Sequence, residues 1–175
     1  MTTSEFTASP HAFADVLEAN ARYAAQFPYR GLEGTASRGL LVLTCMDTRI
    51  DPSAILGLQP GDAKILRNAG ARVTDEVLAT AVVSVYLLGV RRIMVMAHTR
   101  CRMASGSPDD VHAAIAEAGG PDTRSLEFRT TTDQLESLRR DVQRIRSWPY
   151  LAHATDLAIG GFRYDVDTGR VEFVC

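Results

Sequence analysis

The 175 residues are 46% hydrophobic and 23% charged, with a formal net charge of −2, a balance that supports one domain with a buried core and argues against large-scale disorder. It leaves no broad basic surface for nucleic acid and no polybasic patch for an anionic membrane. The longest apolar stretch, residues 78–90, is interrupted by Thr80, Ser84 and Gly89 and falls short of the roughly 20 residues a membrane span needs.

The first predicted element is a helix over residues 10–27, with Ser9 as N-cap and Pro10 in the first turn. Its stripe of Phe13, Val16, Leu17 and Ala21 faces either the protein's own sheet or a neighbouring subunit. Short runs rich in Val, Leu, Ile and Met read as buried strands over 39–45, 63–67 and 92–98. Between the last two lies a helix. Thr74 caps it, Asp75 and Glu76 suit its positive end, Val77, Leu78, Ala81, Val82, Val85 and Leu88 form the buried face, and Gly89 ends it. A strand, helix and strand of this length require parallel strands joined by a right-handed crossover.

Farther along, Ser107 and Pro108 open a short helix that AGGPD closes. Residues 133–147 form another helix, in which Leu135, Leu138, Val142 and Ile145 keep helical spacing and Asp133 with Glu136 has the spacing of a capping box. Trp148 and Pro149 stop it. Residues 155–164 read as a strand able to join the parallel sheet, and Asp167-Thr168-Gly169 turns the chain into an antiparallel edge strand over 171–174. The fold class is therefore α/β. A mostly parallel central sheet of four strands gains an antiparallel edge strand and is flanked by helices. The whole chain is expected to be one domain, with residues 1–30 as an N-terminal helical arm.

Cys45 ends the first strand, in LVLTCMDTRID, while His98 and Cys101 end the third, in RIMVMAHTRCRM. Sites in open α/β sheets form at that carboxyl edge. Two thiolates and a neutral imidazole are ligands zinc prefers, and three protein ligands leave a fourth tetrahedral position for water. The bland reading makes these two buried cysteines and a structural histidine, but the His-x-x-Cys spacing beside a second strand end favours metal. Asp47 and Arg49 alternate after Cys45, so in an extended segment they project with it. The aspartate could bind the metal or accept a hydrogen bond from its water, and the arginine could hold it in a two-pronged pair. A solvated surface pair is the alternative. His11, His112 and His153 lack ligand spacing to the trio and are left out of the site.

At this point the chain resembles the β-class carbonic anhydrases, particularly their short bacterial members. CMDTRIDP at 45–52, LRNAGARVTDE at 66–76, AHTRC at 97–101 and GFRYDVDTGRV at 161–171 carry the resemblance. It implies zinc as cofactor on Cys45, His98 and Cys101, Asp47 and Arg49 as the catalytic dyad, and Asn68, Ala69 and Gly70 as part of the loop binding substrate. The implied reaction is reversible hydration of carbon dioxide to bicarbonate and a proton by a zinc-bound hydroxide. In some members the aspartate matching Asp47 swings onto zinc as a fourth ligand, closing the site. The resemblance also implies a homodimer or homotetramer whose N-terminal helix reaches a second subunit. Where family members commonly carry Asp and Gly around the second cysteine, this chain has Arg100 and Arg102. These either add positive charge near the metal or point to solvent or a partner subunit.

Two rival functions remain in view. One is a related zinc hydrolase acting on carbonyl sulfide or carbon disulfide, and the other a non-catalytic, zinc-stabilised binding protein. A redox role is disfavoured because the cysteines form no Cys-x-x-Cys pair. The expected partner is a small-molecule substrate. MTTSEFTASP has neither the basic nor the apolar region of an export signal, and Cys175 has no evident partner, so a reducing cytoplasmic setting is expected.

Overall fold

The structure is a computed structural model and describes residues 10–175. Two compact units emerge, one ending at Leu32 and the other running from Glu33 to Cys175.

In the first unit the helix expected over 10–27 is divided. A 3-10 turn, Pro10–Phe13, leads into α1, Ala14–Ala25. Phe13 occupies the N-cap with φ −123° and ψ 14° and makes no side-chain cap bond, so the entry tightens into three-residue turns. The expected Ser9 cap lies outside the described residues. No residue of α1 is buried, and Phe13, Val16 and Leu17 are 59%, 55% and 56% exposed. Tyr23, Phe27 and Tyr29 stack edge to face, with ring centroids 5.6 and 5.8 Å apart.

The second unit contains β1 (Leu40–Cys45), α2 (Pro52–Leu56), β2 (Ala63–Asn68), α3 (Asp75–Leu87), β3 (Arg92–His98), α4 (Pro108–Glu117), α5 (Gln134–Arg146), β4 (Ala158–Tyr164) and β5 (Val171–Phe173). Its single five-stranded sheet has the order β2-β1-β3-β4-β5. The first four strands are parallel, and β5 pairs antiparallel with β4 at the edge. Alternation along the central strands feeds two cores. Leu41, Leu43, Ile93, Val95 and Ala97 pack with α3 and with Leu138, Val142 and Ile145 of α5. Val42, Met94, Met96 and Tyr164 join Ile50, Cys45 and Cys101 in the other. Burial of each large aliphatic side chain contributes about 1.5–3 kcal/mol, which fixes strand register and so the positions of Cys45 and His98.

Local chemistry explains the element ends. Thr74 Oγ1 accepts from the Val77 N–H at the start of α3, and Gly89 leaves the helix at φ +76°. At α5 Asp133 accepts from the Glu136 N–H, but the Glu136 carboxylate pairs with Arg140 and the Asp133 N–H goes to Thr131 Oγ1, so the expected box is half formed. A complete box opens α4, between Ser107 and Asp110. The strand expected from 155 begins at Ala158, because Leu157 N–H turns back to the Ala154 carbonyl at 3.1 Å. The short α2 has Asp51 as cap and Pro52 in its first turn.

Candidate metal centre

β1 and β3 are neighbours in parallel register, with Thr44 opposite Met96. The chain leaves β1 toward β2 on one side and β3 toward β4 on the other, so their carboxyl ends flank a topological switch point. Cys45 is the last residue of β1, His98 the last of β3, and Cys101 lies in the loop that follows. All three are buried, and one ligand atom from each lies within 4.8 Å of the other two. The sulfurs are 4.0 Å apart.

The imidazole is committed to one tautomer. Its Nδ1 lies 2.9 Å from the Thr99 carbonyl oxygen, which can only accept, so Nδ1 carries the proton, and in the neutral imidazole Nε2 presents its lone pair. Nε2 is buried without a hydrogen-bond partner, a condition that costs about 1–3 kcal/mol if nothing satisfies it. A soft divalent cation meets that need, and the two-sulfur, one-nitrogen set suits zinc. The thiols are prepared as well. A hydrogen bond from Cys101 holds the Cys45 thiol well below its ordinary pKa, and the neighbouring His98 ring and the Gly70 N–H add to the effect. Cys101, which retains the shared proton, is pushed up.

Asp47 and Arg49 form the two-pronged pair. Arg49 Nε donates to Asp47 Oδ1 at 2.9 Å and Nη2 to Oδ2 at 2.7 Å, while the Arg49 backbone N–H reaches Oδ1 at 3.0 Å. These bonds hold the Asp47 carboxyl well below the usual carboxylate range. Asp47 Oδ2 is 3.8 Å from His98 Nε2, so the pair borders the ligand cluster. Arg67, at the end of β2, fixes this segment by donating to the carbonyls of Cys45 (3.0 Å) and Asp47 (2.7 Å). In front of the pair lies an open pocket of about 520 Å³, lined by Asp47, Arg49, Arg100, Cys101, Arg102 and Gln134 among others.

Asn68, Ala69 and Gly70 lie outside the lining of that pocket. The Asn68 amide closes its own loop, donating to the Arg72 carbonyl at 2.7 Å and accepting from the Arg72 N–H at 2.8 Å. Ala69 is half-buried in that loop. Gly70 donates to Cys45 Sγ at 3.3 Å. Its φ is +83°, and a Cβ there would sit 3.0 Å from Met103 Cβ, so glycine is needed for both conformation and space.

A family model described as carbonic anhydrase matches residues 40–171. The chain is 37% identical over 162 residues to beta-carbonic anhydrase 1 of Mycobacterium tuberculosis, covering 91% of this chain and 96% of that one. The chain belongs to the β-class carbonic anhydrase family. Among solved structures, a carbonic anhydrase from Streptococcus mutans superposes with a TM-score of 0.85 at 34% identity, covering all of both chains. A carbon disulfide hydrolase from an Acidianus strain is 30% identical over 158 residues, 77% of this chain and 76% of that one.

Several supports of this candidate site in a carbonic anhydrase family member escape a reading of motifs. Gln134, the first residue of α5, donates to the His98 carbonyl at 2.9 Å. Arg72 forms a largely buried ion pair with Asp141 of α5 at 2.6 Å and donates to the Arg129 carbonyl at 3.0 Å, which ties the 68–72 loop to the helix. Asp141 had a signal, since it stands on the same helical stripe as Leu138, Val142 and Ile145. A charge on an apolar stripe asks for a buried partner. The two arginines flanking Cys101 also differ from each other. Arg100, not Arg102, takes the left-handed backbone, at φ 54°, and its side chain pairs with Asp167.

Proposed function

We propose that this protein is a zinc-dependent carbonic anhydrase interconverting carbon dioxide and bicarbonate, with Cys45, His98 and Cys101 as ligands and Asp47 and Arg49 as the catalytic pair. One observation carries the reading. A buried imidazole nitrogen with no hydrogen-bond partner stands among two thiol sulfurs, 3.8 Å from a carboxylate that an arginine keeps ionised. A zinc ion held there would supply the Lewis acidity that makes water nucleophilic near neutral pH, as is established for carbonic anhydrases generally.

The chain's own groups do the rest. Asp47 lines the pocket, where its ionised carboxylate accepts a hydrogen bond from the attacking water and so directs a lone pair at the carbon of CO2. Arg49 aims that carboxylate through two bonds and keeps it from wandering. The loop at 68–70 contributes through Gly70, whose N–H steadies the Cys45 sulfur. Metal ligation by Asp47 would have to break its bonds to Arg49, so the carboxylate serves one role at a time.

The likeness to a carbon disulfide hydrolase makes that substrate the natural comparison. The pocket favours carbonic anhydrase chemistry through its product, since Arg49 and Arg102 line a space that suits anionic bicarbonate, whereas carbon dioxide and carbon disulfide are alike apolar. With one zinc per chain, CO2 hydration is expected, with hydrogen sulfide release from carbon disulfide far slower. The reverse preference would overturn the assignment. No helix among the described residues is long and apolar enough to cross a membrane, and the site requires both cysteines reduced, which supports a cytoplasmic setting. A homodimer or homotetramer is proposed as the working form, supported by the exposed apolar stripe of α1.

A further inference from the structure

We infer that Arg100 is a positioning residue for the Asp47–Arg49 pair, with the turn between β4 and β5 as its anchor; the inference rests on the catalytic reading above. Arg100 and Ala71 are the non-glycine residues with positive φ among those described, and such a conformation persists only where its surroundings enforce it. In this conformation the Arg100 carbonyl accepts a hydrogen bond from Arg49 Nη2 at 3.1 Å. The same nitrogen donates to Asp47 Oδ2 at 2.7 Å. The guanidinium therefore has Asp47 on one side and a backbone carbonyl on the other, and it cannot swivel without losing both.

The anchoring is laid out along successive residues. Thr99 N–H donates to the Tyr164 carbonyl at 2.9 Å, Thr99 Oγ1 donates to Asp165 Oδ1 at 3.4 Å, and the Val166 N–H donates to Thr99 Oγ1 at 3.1 Å. The Arg100 side chain then pairs with Asp167, whose own N–H is held by Asp165 Oδ1 at 2.8 Å. Because Arg100 and Asp167 are 60% and 59% exposed, their ion pair is weak alone. It acts as the last tie of a segment already stitched to β4.

The test uses zinc-loaded full-length protein, with each variant made in the wild-type and Arg49→Ala backgrounds. Arg100→Val places a β-branched residue where the left-handed backbone disfavours it. It is expected to keep one zinc per chain, leave the KM for CO2 little changed and lose roughly ten- to a hundredfold in kcat. With Arg49 already replaced by alanine, the same change should cost nothing further, because Arg100 acts through Arg49. Arg100→Gly, which tolerates positive φ, should lose less than the valine variant. An independent readout is solvent exchange of the Arg49 Nε proton by NMR in metal-free protein, expected to be fastest in Arg100→Val. If that variant does not fold, Asp167→Ala should speed the same exchange.

Equal losses for valine and glycine, an equal loss in the Arg49→Ala background, or unchanged Arg49 exchange would each overturn the positioning role. A wild-type protein that binds zinc yet never hydrates CO2 would refute the proposed function instead. The exchange measurement on metal-free protein would still judge Arg100.

Discussion

Replacing Cys101 by serine removes one of three donors that lie within 4.8 Å of one another and offers a harder, less acidic ligand in its place. Zinc is expected to be lost, and one zinc per chain in Cys101→Ser would contradict the ligand assignment. Asp47 gives a pH prediction. Hydrogen bonds from Arg49 lower its carboxyl pKa in the folded protein, so the charged form is favoured by folding. The stability from this pair is complete above the ordinary aspartate pKa of about 4 and is lost as pH falls below it toward the depressed folded value. In metal-free protein, Arg49→Ala should return Asp47 to ordinary titration by carboxyl NMR. Ordinary titration in the wild type would contradict the pairing. The three candidate ligands were legible in sequence because soft donors at two strand ends have few structural explanations. The backbone of Arg100 was not. The family pattern points to a glycine after Cys101, whereas the left-handed residue precedes it, and no side-chain property of arginine announces that.

At the level of elements, α5 matters to the site because Gln134 and Asp141 reach from it to the His98 carbonyl and to Arg72. Arg72→Ala would leave the Asp141 carboxylate buried and unpaired, at a cost of about 3 kcal/mol. For a chain of this size that lowers Tm by about 6–12 °C, measurable by calorimetry. A shift under about 2 °C would show the pair to be dispensable. The cap at α4 is smaller in scale. Ser107→Ala, which breaks the box with Asp110, should cost about 1 kcal/mol in chemical denaturation. Elements with long periodic faces and clear caps, such as α3 between Thr74 and Gly89, were readable from sequence. The five-residue α2 was not, since it is too short to show a helical period. The box at α5 failed for another reason: Glu136 had a second candidate partner in Arg140, one turn on.

Across the whole molecule, the function-bearing fact is the strand order. The mixed sheet was legible from the alternation of strand and helix patterns, but β1 came to lie between β2 and β3 through packing that local patterns do not encode. That order opens the switch point where Cys45 and His98 meet. The exposed stripe of α1 leads to the expectation that light scattering finds a dimer or tetramer; a strict monomer would remove the reason for an apolar face there. The most direct test is stopped-flow CO2 hydration by protein with verified zinc content, from about pH 6.5 to 9. Activity that rises with pH, disappears on chelation and is mostly lost in an Asp47→Ala protein that keeps its zinc is the expected result. One zinc per chain without hydration at any pH, or full activity in Asp47→Ala, would contradict it.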